Sequence, residues 1–142
     1  MDIVIDILLW LHFLGLAVGV GGGFALGALG PAFRGATPEQ IVALAPARRR
    51  IFNAVTIALV LLVVTGPLVL WLRYGDTSGM TWWFWAKMVL VLVLIGLNVR
   101  SRQLLKAAEG GDAGAGPKLM QAGMASGVTS MLIVLAAVFA FA

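Results

Sequence analysis

Residues 3–29 read IVIDILLWLHFLGLAVGVGGGFALGAL, an apolar run broken only by the acid Asp6 and the imidazole His12. A bilayer core of about 30 Å takes about 20 helical residues to cross, so this run is long enough to span it. Three similar stretches follow at about residues 51–72, 81–99 and 119–141. Hydrocarbon offers the backbone no partner, so each stretch must close its own hydrogen bonds as a helix, whatever the strand preference of its valines and isoleucines. Composition agrees. Of 142 residues 61% are hydrophobic and 11% charged, with a mean hydropathy of +1.03, against about half and a quarter in soluble domains. The expected fold is therefore all-α: an integral membrane four-helix bundle forming a single transmembrane domain over residues 1–142.

The charges set an orientation. Arg34, Arg48, Arg49 and Arg50 lie between the first two spans, and Arg100, Arg102, Lys106 and Lys118 between the last two; Arg73 is the one loop cation on the other side. The positive-inside rule places loops 30–50 and 100–118 in the cytoplasm and both termini outside, in an up-down topology. Trp10, Trp71, Trp82, Trp83 and Trp85 fall near the outer ends of their spans, as an interfacial aromatic belt does. A signal peptide carries positive charge ahead of its apolar run, whereas Asp2 and Asp6 stand here, so the first run is expected to remain as a span. The expected location is a bacterial inner membrane with periplasmic termini and the lipid bilayer as principal partner. The net charge of +4 sits in loops beside spans, where topology and anionic headgroups account for it, so no nucleic-acid partner is expected.

Within the connections, Thr37-Pro38-Glu39-Gln40 has the order of a capping box with proline at the first helical position. It predicts a short surface helix that Pro46 ends. Residues 109–116, EGGDAGAG, have almost no side chain to pack and read as a mobile tether. The short stretch 73–80 makes the second and third helices antiparallel neighbours. Thr65-Gly66-Pro67 is expected to kink the second span, with Thr65 taking up a freed carbonyl.

The chemical inventory is small. Without cysteine and with a single histidine, thiolate metal sites, iron–sulfur clusters and the two-histidine zinc helix are excluded. The spans hold no carboxylate pair for acid–base hydrolysis. Gly15, Gly19, Gly23 and Gly27 recur every four residues along the first span, with Gly21 and Gly22 beside them. Missing side chains on one face let another backbone, or a flat ligand, come close. Gly123, Gly127 and Ser130 form a second small-residue row on the fourth span, a candidate partner for the first. His12 precedes Gly15 by three and Gly19 by seven, which puts it on the glycine face. There it can be a haem ligand, a proton relay or a hydrogen-bonded polar group between helices. Lys87 lies roughly 9 Å beyond Thr81, and His12 roughly 9 Å beyond Asp6, at 1.5 Å per residue. With both helices starting outside, the two groups are expected at similar depth, although Lys87 can also snorkel outward. Lys87, Val91, Leu94 and Asn98 give the third helix a partly polar stripe, and Asn98 is placed to meet Asn53. One histidine cannot hold a haem between two imidazoles. Five-coordination, a methionine ligand (Met88, Met120, Met124 or Met131), or a haem shared by two chains remain.

Trp10-Leu11-His12, Gly22, Thr65-Gly66, Trp85-Ala86-Lys87 and the run Val128-Thr129-Ser130-Met131-Leu132-Ile133-Val134 together resemble the HemJ-type protoporphyrinogen IX oxidases and, in part, the copper-resistance D-like membrane proteins. The likeness covers all four spans. It implies a four-helix membrane oxidoreductase associated with haem b, converting protoporphyrinogen IX to protoporphyrin IX. In that reading His12 is the haem-iron ligand or porphyrin contact, and Lys87 the partner of a propionate or substrate carboxylate. Two polar signatures differ: Gly27-Ala28 stand where the family has proline and arginine, and Asn98 where it has histidine. The alternative expectation is a non-catalytic subunit that packs by its glycine face into a larger membrane complex or a homo-oligomer. No broken helix pair or ring of intramembrane charge points to a transporter or channel.

Overall fold

The structure, a computed structural model, describes residues 2–112 and 114–141, the side chains of Asp2 and Phe141 apart. It is all-α: α1 (Asp2–Arg34), α2 (Pro38–Tyr74), α3 (Trp82–Glu109) and α4 (Ala115–Phe141). All four helices are long and apolar enough to cross a membrane, which makes the chain an integral membrane protein. They pack as two compact units, residues 1–79 and 80–142, each a helical hairpin.

Both expected cytoplasmic loops are shorter than the apolar runs imply, because the helices outlast the hydrocarbon. α1 continues through Pro31 to Arg34. The capping box forms: Gln40 N donates to Thr37 Oγ1 at 3.3 Å and Thr37 N to Gln40 Oε1 at 3.0 Å. The expected stop at Pro46 does not occur. α2 runs unbroken through Pro46 and Pro67. Pro46 removes one amide, the partner of the Val42 carbonyl, and Val42 is 73% exposed. A group so exposed outside the hydrocarbon can be served by water, while the alanines, Leu44 and Arg48 around the proline favour the helix. At its far end α2 stops on Gly75, whose N–H still reaches Trp71 O at 3.1 Å while its φ of 76° turns the chain out of the helix.

The expected mobile tether is instead a tight, hydrogen-bonded turn. α3 ends in a Schellman motif: Asp112 N donates to Ala107 O at 3.0 Å and Gly111 N to Ala108 O at 3.2 Å, with Gly111 at φ 94°. Asp112 Oδ1 then accepts from Gly114 N at 2.9 Å, and Asp112 O from Ala115 N at 3.2 Å, starting α4. Ala113 lies outside the described residues. The glycines here supply a left-handed residue rather than slack. Gly111→Ala should therefore cost about 1 kcal/mol, read as a lower midpoint when helix content is followed against denaturant.

The second unit is sealed by small side chains. Leu104, Ala115 and Ala122 form its buried core, with Ala107, Ala108 and Leu119 against it. Along α4 the buried positions are Ala115, Ala122, Thr129, Ile133 and Ala136, steps of seven, seven, four and three that mark a coiled-coil-like seam. Gly123 and Gly127 stand beside that seam, and a Cβ at either would meet nothing within 4 Å. At the other end Trp83 stacks between Trp82 and Phe139, with centroids at 4.0 and 5.0 Å. Trp10, Trp71, Trp82 and Trp85 are exposed.

Candidate functional site

The first unit brings together the glycine face and the histidine. A Cβ at Gly15 would sit 3.2 Å from Leu62 Cγ and 3.3 Å from Ala58 O; one at Gly19 would lie 3.8 Å from Ala58 Cβ; one at Gly22 would overlap Val55 Cγ2. His12 continues the row onto Thr65. The α1 stripe is thus His12, Gly15, Gly19 and Gly22, and the α2 stripe Val55, Ala58, Leu62 and Thr65. Each step of three or four along α1 matches an equal step backward along α2, so one antiparallel register holds over the whole seam. A strict four-residue row advances 40° per step at 3.6 residues per turn, so Gly23 and Gly27 turn away from α2. A Cβ at either would meet nothing within 4 Å. Alternating steps of three and four keep Gly22 on the seam instead.

His12 Nδ1 lies 2.9 Å from Thr65 Oγ1, and Thr65 Oγ1 donates to Leu61 O at 2.7 Å. The carbonyl has no proton, so the hydroxyl hydrogen must occupy the Thr65–Leu61 line. Thr65 is left as the acceptor, and His12 as the donor through Nδ1–H. A neutral ring in that arrangement would carry its lone pair on Nε2, the form in which imidazole binds iron. Thr65 is only 2% exposed, so water does not compete for its hydroxyl. Gly66 lies beside the ring: a Cβ there would be 3.5 Å from His12 Cε1, the carbon between the two nitrogens. The carbonyl that Pro67 deprives of an amide is that of Val63, and Thr65 does not answer it. It binds Leu61 O instead, and serves His12.

Among the described residues no three His, Cys, Asp or Glu side chains gather as a metal site. A lone imidazole is not a protein-built metal centre; it is the donor that a haem with one protein ligand uses. In the second unit Lys87 is half-buried on α3, one turn deeper than Trp83 on the same helix face. Met88 and Met120 are half-buried, and Met124 and Met131 exposed. Thr129 and Ser130, within the family-like run of α4, bond back to Ala125 O at 2.7 Å and Ser126 O at 2.8 Å.

The sequence does not announce Thr65 as the hydrogen-bond partner of His12. A polar side chain in hydrocarbon seeks another polar group, and Thr65 is a hydroxyl near the middle of the neighbouring span; that was the available signal. Comparison with family models, with curated proteins and with solved structures found no match to this chain.

Proposed function

We propose that this is a HemJ-like membrane protein that binds haem b or a related porphyrin through His12 Nε2 and serves oxidoreductase chemistry on tetrapyrroles. We place it in a bacterial inner membrane with both termini periplasmic. One observation carries the reading: the Leu61–Thr65–His12 hydrogen-bonded chain, which holds the imidazole by Nδ1 within the first hairpin. Bound haem would supply an iron that exchanges single electrons. The chain's own residues orient the ligand nitrogen, hold the Nδ1 proton and exclude water from the hydroxyl. Lys87 is the amine that the resemblance matches to a porphyrin carboxylate. Protein purified after haem-replete expression should keep a Soret band that His12→Ala removes. A wild-type sample without the band, or a variant that retains it unchanged, contradicts the proposal.

A second reading is favoured by Gly23 and Gly27, which point away from α2 and carry no side chain to block a neighbour. In that reading the chain is a non-catalytic subunit or homo-oligomer packing by this face. Blue-native electrophoresis should then show an assembly that a Gly23→Leu, Gly27→Leu double variant disperses. A monomer in both samples removes this reading.

A further inference from the structure

We infer that the end of the first hairpin where α1 meets the start of α2 is a binding site for the phosphodiester headgroup of an anionic phospholipid. α2 has 37 residues, about 55 Å at 1.5 Å per residue, against a hydrocarbon core of about 30 Å. Its apolar run begins at Ile51, so Arg48, Arg49 and Arg50 stand at the hydrocarbon boundary, where headgroup phosphates lie. α1 delivers Arg34 to the same end, in its last turn. Four arginines thus face one acid, Glu39, between residues 30 and 50.

What makes this a site rather than a diffuse charge is the contact between the helices. The Arg48 guanidinium sits 4.2 Å from the centroid of the Phe33 ring, and Phe33 is half-buried on α1. A cation held on an aromatic face has already lost much of its side-chain freedom, and guanidinium is the group whose planar fork matches phosphate oxygens. Arg34, Arg49 and Arg50 are exposed at the same end of the hairpin. Arg50, not Arg48, lies above the exposed apolar flank of Ile57, Val60 and Val64, so the acyl chains would run along α2 below Arg50 while the headgroup reaches round to Arg48. The partner is therefore an amphiphile: a single negative phosphate with hydrocarbon attached.

Native mass spectrometry of the intact protein, titrated with phosphatidylglycerol or phosphatidylcholine of matched chains, tests this. Phosphatidylglycerol adducts should survive activation that strips phosphatidylcholine. Arg48→Gln and the exposed double variant Arg49→Gln, Arg50→Gln should each weaken retention by roughly five-fold or more, as expected for lost basic residues at a membrane surface. Phe33→Leu should weaken it with no change of charge, and Arg73→Gln, at the other end of α2, should leave it intact. Circular dichroism confirms that each variant is folded; the exposed double variant serves if Arg48→Gln is not. Equal retention of the two lipids by wild type, or full retention by folded Phe33→Leu and by the double variant, overturns the inference. So does displacement of phosphatidylglycerol by equimolar inorganic phosphate, which would make the ligand a free oxyanion.

Discussion

Gly22→Ala should destabilise the first hairpin while Gly23→Ala, one residue on, should stabilise it. At Gly22 a Cβ overlaps Val55 Cγ2. Valine in a helix is nearly confined to one χ1 rotamer, so its methyl cannot swing aside cheaply; α1 and α2 must separate or Val55 must leave its well. Overpacking of this kind costs about 1–3 kcal/mol. At Gly23 the new methyl meets nothing within 4 Å, and replacing a mid-helix glycine returns about 0.5–1 kcal/mol of backbone entropy. The two substitutions are chemically identical, so their difference reports only which glycines lie on the seam. Gly15→Leu should be worse than either, because a Cβ there already lies 3.3 Å from a backbone carbonyl, Ala58 O, and a backbone atom cannot change rotamer. Loss of helix content across a denaturing-detergent titration measures all three. Equal destabilisation by Gly22→Ala and Gly23→Ala would show that the register of α1 on α2 is different.

Thr65→Val should leave the fold nearly intact and impair ligation at His12. Valine keeps the shape and removes the hydroxyl. Interhelical hydrogen bonds within membranes average about 0.6 kcal/mol and reach about 1.7, a small part of what holds two long helices together, so the fold should survive. For the imidazole the consequence is larger. Without an acceptor at Nδ1 the ring loses the bond that sets its tautomer and orientation, and outer-shell partners of this kind are worth about 10–100-fold in metal affinity. Thr65→Val should therefore bind haem about 10-fold or more weakly, and Thr65→Ser should restore binding. Retention of the full Soret band through purification, with wild-type affinity in Thr65→Val, would reduce the Thr65–His12 contact to packing.

The four helices are legible because hydrocarbon removes every alternative: an apolar run of sufficient length has to be a helix, and the Thr37–Gln40 capping box marks the start of α2 in its letters. Helix ends were harder to read. Pro46 and Pro31 are breakers in the interior of a soluble helix, yet near a membrane boundary the lost bond can be taken by water and the helix continues. The glycines of residues 109–116 looked like slack because composition does not show that Gly111 is the left-handed residue of a Schellman cap. The glycine face was legible, and so was the place of His12 on it. Its register was not: counting by fours selects Gly23 and Gly27, whereas a seam between two helices follows threes and fours and selects Gly22. Nothing in the letters pairs Thr65 with His12, because the proline two residues later gives its hydroxyl a nearer carbonyl to answer.

The chain contains a single histidine, so ¹⁵N-histidine labelling followed by NMR at mildly alkaline pH reports the protonation of His12 alone. Nδ1 should carry the proton and Nε2 should appear as the unprotonated, pyridine-like nitrogen, which shifts when haem is added. A proton on Nε2, with Nδ1 bare, would contradict this.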